Sequence, residues 1–221
     1  PLVTGGAGFR GSRVGGARPR RGDRARIFDS LDPQVHGSAV PAAPEGTEMM
    51  RGDIQDEADV ERALVGAQVV IHLAAAVGVG QSMYQPAAYT RVNSLGTAVL
   101  LEKIAGRGSK VEKMVVASSM SIYGEGRYVC AAHGPVRPAP RRVDDLDAGR
   151  FEPRCPRCDG ELAPEPVGED APPDPRNVYA ATKLHQEHLA FAFARETGVA
   201  PNRLATLLAA IGLYGVLAYT V

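Results

Sequence analysis

Lysines and arginines number 25 against 25 aspartates and glutamates in a chain of 221 residues. That balance excludes a global field that would draw the chain to nucleic acid or to an acidic membrane surface. A composition 44% hydrophobic and 23% charged is that of a globular domain and excludes a disordered or fibrous chain. Three cysteines and no leader-like segment point to a reducing cytosol, where paired thiols hold metal more often than they form disulfides. A cytoplasmic protein is therefore expected, and because the chain starts at Pro1 rather than Met, its true start is expected to lie upstream.

Leu2-Val3-Thr4 reads as a short apolar strand that runs into Gly5-Gly6-Ala7-Gly8-Phe9-Arg10-Gly11. Arg26 to Asp29 reads as a second strand and Glu48 to Arg51 as a third, followed by Gly52-Asp53-Ile54. Asp56 to Val65 has helical spacing, with Val60, Leu64 and Val65 on one side. The apolar run Gln68 to Leu73 predicts a strand buried on both faces. Pro86 opens a longer helix through Ala105, Lys113 to Ala117 gives the next strand, and Asn177 to Glu196 is helical. Strands alternating with helices imply right-handed βαβ units. The fold class is α/β, a doubly wound parallel sheet. Ten of the 17 prolines fall between Pro135 and Pro175, so that stretch is expected to be mostly loop.

Three constellations carry chemistry. Gly5, Gly8 and Gly11 follow a strand and precede a helix, where glycines let the backbone turn sharply and approach a pyrophosphate at the helix N-terminus. Asp29 ends the second strand, 18 residues after Gly11, where a carboxylate can accept ribose hydroxyls and repel a 2′-phosphate, so NAD is favoured over NADP. Tyr179-x-x-x-Lys183 places a phenol and an ammonium on one helical face, with Ser119 upstream after a strand. A free tyrosine titrates too high for a base at neutral pH, and a neighbouring cation favours the phenolate. The bland alternative, a surface Tyr-Lys pair, loses weight beside the glycine turn. Third, Cys130-x-x-His133 and Cys155-x-x-Cys158 form a Cys₃His set with zinc-knuckle spacing at both ends, against the plainer reading of unrelated thiols and a surface histidine. His72 reads as a hydrogen-bonded core residue, and His185 and His188 as exposed or interfacial.

Thr4-Gly5-Gly6-Ala7-Gly8-Phe9, Gly52-Asp53-Ile54, His72-Leu73-Ala74-Ala75, Val92-Asn93, Ser118 to Gly124 and Tyr179-Ala180-Ala181-Thr182-Lys183 together resemble the extended short-chain dehydrogenase/reductase family. The resemblance runs from Leu2 to about Gly198, apart from the proline-rich insertion. It implies a Rossmann-like domain over 1–202, with an insertion at 125–175. It implies NAD held by Gly5, Gly8, Phe9, Gly11, Asp29, Asp53, Ile54, Leu73, Ala74, Ala75, Asn93, Tyr179 and Lys183. Ser119, Tyr179 and Lys183 are the implied catalytic set, a nucleotide-sugar the implied substrate, and a homodimer the implied assembly. Met120 and Ser121 stand where the 4,6-dehydratases of this family carry an Asp-Glu pair, so dehydration is disfavoured. The stretch from Ser119 through Cys155-Pro156-Arg157-Cys158 looks most like the dTDP-L-rhamnose 4-epimerases. The implied activity is NAD-dependent 4-epimerisation of a nucleotide-linked hexose through a 4-keto intermediate. Another NAD-dependent sugar-nucleotide oxidoreductase, or an inactive NAD- and zinc-binding fragment, are the alternatives.

Two segments depart from the family. Seven arginines crowd between Arg10 and Arg26, and Arg10 stands where the family has an aliphatic side chain. Gly15, Gly16 and Pro19 should break the helix expected there, at roughly 5 kcal/mol of lost propensity. Normal length with abnormal composition suggests a local reading-frame slip. The 203–221 tail is uncharged from Leu204 onward and resembles a segment of an ABC transporter permease, foreign to the domain or transmembrane-like. A membrane is expected as a partner only through that tail. The chain is thus expected to stop before the family's substrate-binding region and to lack turnover.

Overall fold

Five short strands pair in parallel in the order β3-β2-β1-β4-β5: β1 Leu2–Thr4, β2 Ala25–Asp29, β3 Thr47–Arg51, β4 Val69–His72 and β5 Lys113–Val116. The structure, a computed structural model, describes residues 1–16, 24–38 and 41–197. The 203–221 tail and the 17–23 stretch, with Arg18, Pro19, Arg20 and Arg21, lie outside the described residues. Helices cross between the strands: α1 Phe9–Gly16, α2 Pro33–His36, α3 Glu57–Leu64, α4 Val79–Tyr84, α5 Pro86–Tyr89 and α6 Gly96–Ala105. The doubly wound α/β fold read from the alternation is the one found. Among the described residues no helix is long and apolar enough to cross a membrane.

Alternation along β2 shows how the sheet is covered on both faces. Ile27 and Phe28 are both fully buried but point to opposite sides. Phe28 joins Val60, Val70, Leu100 and Met114 in the core under α3 and α6. Ile27 faces α1, where a Cβ on Gly15 would meet its side chain at 3.1 Å. This corrects the expectation that Gly15 breaks the helix. Gly11 and Gly15 are the buried residues of α1, and their lack of side chains lets the helix lie close on the sheet, an approach that outweighs about 1 kcal/mol of propensity per glycine. Burial along β4 also differs from expectation. Val70 and His72 are buried, while Val69 and Ile71 on the other face are only half-buried.

One arginine of the crowded segment belongs to the framework. Arg26 reaches from β2 to the end of α3, donating through Nη1 to Ala63 O (2.7 Å) and Val65 O (2.8 Å) and through Nε to Glu48 (3.0 Å). Carbonyls left open at a helix C-terminus favour such a cation. The helix expected from Pro86 to Ala105 is continuous but contains a π-turn, Thr90–Leu95. That extra residue in the winding turns Asn93 inward, where it is completely buried.

The described residues divide into two units, Pro1–Ser119 with Asn177–Thr197, and Met120–Arg176. Between Pro135 and Pro175 the second unit is mostly loop, as its prolines suggested, with a few short elements. It holds β6 Arg127–Cys130, β7 Gly134–Val136, α7 Val143–Asp147 and β8 Leu162–Glu165, the strands pairing antiparallel as β7-β6-β8. Pro135 and Pro164 sit in the two outer strands, where a missing N–H costs no ladder bond on the open side. The chain then returns to the first unit as α8, Val178–Thr197.

His72 makes the first unit acid-sensitive. Burial, and then the Lys183 charge, push its imidazole down to about 3, from 6.5. The unfolded chain therefore binds a proton below pH 6.5 that the folded chain refuses, and stability falls as pH drops. Between pH 6.5 and 5 this one group should remove roughly 2 kcal/mol. Urea unfolding at the two pH values should show that loss in the natural chain and not in His72→Gln. An equal pH dependence in both proteins would rule out His72 as its source.

Candidate functional site

The strand order reverses between β1 and β4, and the loops at the carboxyl ends of these strands carry most of the expected site residues. Gly5 has φ +65°, and a Cβ there would lie 2.7 Å from Ala74 N. A Cβ on Gly11 would lie 2.2 Å from Gly5 O, so the turn admits no side chain at either place. Gly8 has more room, and its amide closes the turn onto Gly5 O at 3.3 Å. Phe9 is exposed, with the Arg13 guanidinium 5.1 Å from its ring centre.

Asp29 is buried at the end of β2 beside this turn. Its Oδ2 accepts from Ala7 N (3.0 Å) and its Oδ1 from Leu31 N (2.9 Å), with His36 Nε2 at 3.4 Å. The carboxylate expected to meet a ribose is thus also the brace of the glycine turn. Asp53 accepts from Gln55 N (2.9 Å), and Ile54 is buried against α6. Leu73, Ala74 and Ala75 form a half-buried loop, with Leu73 N on Thr4 O (3.0 Å) and Ala74 N on Thr4 Oγ1 (3.2 Å). Asn93 pins the end of that loop and α8 together, its Oδ1 accepting from Ala76 N (2.8 Å) and its Nδ2 donating to Thr182 Oγ1 (2.9 Å).

Tyr179 lies at the start of α8, its N–H on Ser82 Oγ (3.1 Å) and its ring edge-on to Tyr89 at 6.4 Å. Its phenol is hydrogen-bonded to Ser119, so the structure brings these two residues together as expected. Burial raises the phenol above its ordinary value, while the Ser119 bond and then the Arg10 charge pull it back. The cation expected to act on Tyr179 was Lys183; the one that acts is Arg10. The reason is the position of Lys183, which is buried and donates from Nζ to Gln186 Oε1 at 2.5 Å. Burial pushes its ammonium down to about 8; Glu187 opposes this, and Arg10 adds to it.

Gln186 was not singled out in the sequence, although it lies three residues after Lys183 on the same face of α8. A lysine can only donate, so Oε1 of Gln186 must face it and Nε2 must face inward. There Nε2 reaches Thr97 Oγ1 (2.7 Å) and His72 Nε2 (3.2 Å). Thr97 in turn donates to Asn93 O (2.6 Å), and His72 Nδ1 lies 2.7 Å from Thr4 Oγ1. A buried chain of hydrogen bonds therefore joins the glycine turn to Lys183. His72 is the hydrogen-bonded core residue expected, and His185 and His188 are exposed.

In the second unit Cys130, His133, Cys155 and Cys158 do come together, their ligand atoms all within 4.8 Å of one another. Burial raises the Cys155 thiol, but the amides of Arg157 and Cys158 with Cys130 and His133 bring it down to about 6. A cleft of about 660 Å³ in this unit is lined by Arg141, Arg142, Asp145, Arg154 and Cys158 among others, and by none of Ser119, Tyr179 or Lys183. Three of its arginines are paired, Arg141 on Glu125, Arg142 on Asp145 and Arg154 on Asp159.

The family model described as the NAD dependent epimerase/dehydratase family matches residues 1–153. The chain belongs to that family. A dTDP-L-rhamnose 4-epimerase of Burkholderia thailandensis is 34% identical over 209 residues, 92% of this chain and 56% of that protein. A UDP-glucose 4-epimerase of Streptomyces lividans is 31% identical over 191 residues, 85% of this chain and 45% of that protein. The crystal structure of the Thermus thermophilus UDP-glucose 4-epimerase complex with NAD matches with a TM-score of 0.64 at 30% identity, over 89% of this chain and 51% of that one. The chain spans about half the length of the curated relatives it matches. Within this epimerase/dehydratase family, Tyr179, Lys183 and Ser119 occupy one unit of the fold, and the Cys₃His unit is inserted in the chain between Ser119 and Tyr179.

Gln186→Leu tests the support of Lys183. Losing the acceptor disfavours the ammonium, so the Lys183 pKa should fall by about one unit further and stability by about 1–3 kcal/mol. NMR titration of the Lys183 side chain measures the first and urea unfolding the second. An unchanged titration would show that Gln186 does not hold the charge.

Proposed function

We propose that these residues serve C4 epimerisation of a nucleotide-linked hexose with NAD as the resident cofactor, and that the sugar nucleotide is of the dTDP-L-rhamnose class. The observation that carries the reading is the hydrogen bond between Ser119 and Tyr179 at the carboxyl edge of the sheet, with Lys183 one turn further along α8. The site fits the cofactor on its own geometry. Gly5 and Gly11 leave backbone bare where a pyrophosphate approaches a helix N-terminus. Ser118 Oγ, beside Ser119, is buried with no partner among the described residues. Asp29 lies where a carboxylate favours ribose hydroxyls over a 2′-phosphate, which supports NAD over NADP.

Gly5, Gly8, Phe9 and Gly11 would hold the pyrophosphate, Asp29 the adenosine ribose, and Lys183 the nicotinamide ribose. When bound, NAD supplies a reversible two-electron oxidation at C4. Tyr179 Oη takes the proton of the C4 hydroxyl and returns it after the 4-keto sugar has presented its other face. Ser119 Oγ, bonded to Tyr179, orients the same substrate oxygen. The raised phenol must lose its proton for this, so the charge of Arg10 and the Ser119 bond both act in the productive direction. Elimination of water finds no acid-base pair here, because Met120 and Ser121 follow Ser119. The 34% identity to a dTDP-L-rhamnose 4-epimerase supports the choice of sugar nucleotide.

The test is conversion of dTDP-L-rhamnose to its C4 epimer by a form of the protein extended to the full length of its relatives, followed by proton NMR, since the 221-residue chain spans only about half that length. Tyr179→Phe should lower the rate by about 10²-fold or more without lowering the melting temperature. Full activity in Tyr179→Phe would displace the site. Faster turnover of UDP-glucose would displace the sugar assignment, and no epimer from either would displace the function.

A further inference from the structure

We propose that Cys130, His133, Cys155 and Cys158 bind one structural Zn²⁺ in a closed tetrahedral site that holds the Met120–Arg176 unit in its fold. This goes beyond the epimerase reading and does not depend on it. The spacing of the donor atoms is that of a coordination shell. With Zn–S near 2.3 Å and Zn–N near 2.0–2.1 Å, tetrahedral geometry demands S···S edges of about 3.8 Å and S···N edges of about 3.6 Å. The structure has Cys130 Sγ to Cys158 Sγ at 3.7 Å, Cys130 Sγ to His133 Nδ1 at 3.5 Å and Cys155 Sγ to His133 Nδ1 at 3.6 Å. A disulfide needs about 2.05 Å between sulfurs, so these thiols are gathered without being bonded.

The backbone builds the site from two turns. Cys130 ends β6 and His133 N bonds back to Cys130 O (3.3 Å), with Gly134 at φ +67° starting β7. Cys155 to Cys158 closes a second turn, in which Asp159 N reaches Cys155 O (2.8 Å) and Cys155 N reaches Gly160 O (2.9 Å). Arg157 N points at Cys155 Sγ at 3.5 Å, an N–H···S contact that favours thiolate. Both turns thus aim their donor atoms at one point, with Cys130 and Cys155 buried and Cys158 at the surface.

The donor set selects the ion. Three thiolates and an imidazole are soft ligands that suit Zn²⁺ and exclude Ca²⁺ or Mg²⁺, which take oxygen. Four protein ligands leave no open position, so the role is structural rather than catalytic. The unit also has a need for it. Its buried apolar cluster is Tyr128, Cys130, Cys155 and Leu162 with Val136 against it, and two of those residues are ligands. A core that small does not hold a separate unit, and metal binding free energy becomes folding free energy.

Metal analysis of the whole purified chain should find close to one zinc per chain, and Cys130→Ser and Cys155→Ser should each hold less than a tenth of that. In the natural chain a chelator should remove amide-exchange protection between Met120 and Arg176 while leaving that of β1 to β5 in place. If the variants do not fold, Co²⁺ titration of the metal-stripped natural chain decides. It should give a one-to-one end point with thiolate-to-cobalt absorption. No metal taken up, with all three thiols titrating freely in the folded chain, overturns the proposal. So does zinc retained in both variants, or protection that a chelator does not change.

Discussion

A lysine ammonium buried beneath a helix is the constraint around which the larger unit is arranged. Taking such a charge out of water costs several kcal/mol unless acceptors replace the water. Lys183 is 3% exposed, and Gln186 Oε1 replaces it. That choice fixes the rest, because an amide whose oxygen is committed must spend its N–H groups elsewhere. They go to Thr97 and His72, Thr97 spends its own proton on the backbone of Asn93, and His72 meets Thr4 at the mouth of the glycine turn. His72 can take part only as a neutral ring, which burial enforces. Changing any member leaves a buried donor or acceptor unpaired, which is why the network holds the turn, the β4 loop and α8 in one register.

Much of this was legible in the sequence because it is local. The strands, the α8 helix and the glycine turn are written as short periodic patterns, and each appears where its pattern stands. Asn93 and His72 were singled out as site and core residues, and both are buried. What was not legible depends on pairing across long separations. Gln186 looks like a surface glutamine until its neighbours Thr97 and His72, 89 and 114 residues away, are known. Gly15 reads as a helix breaker until Ile27 is placed against it. Most prolines of the insertion do lie in loop, and two of the ten, Pro135 and Pro164, fall in outer strands instead. Asp29 reads only as a ribose-binding carboxylate, and its second task, accepting from Ala7 N and Leu31 N, appears once the turn is folded.

Arg10 joins the two halves of the reading. It departs from the aliphatic residue the family places after the glycine turn, and its charge reaches both Tyr179 and Lys183. The effects oppose each other in sign: the phenolate is favoured and the ammonium disfavoured. A fixed cation there shifts the acid-base balance of the site toward an ionised tyrosine and a more easily deprotonated lysine. The Cys₃His unit, inserted between Ser119 and Tyr179 in the chain, rests on different chemistry.

The central claim is that the network delivers a charged Lys183 to the cofactor. Its most direct test is the affinity for NAD as a function of pH, measured by calorimetry. Lys183 titrates at about 8, so above that pH the free protein has lost the proton that binding requires and must take one up again. Affinity should be level below pH 7 and about tenfold weaker at pH 9 than at pH 7, a dependence that Lys183→Met abolishes. An affinity for NAD that stays constant from pH 7 to 9 in the natural chain would contradict the account.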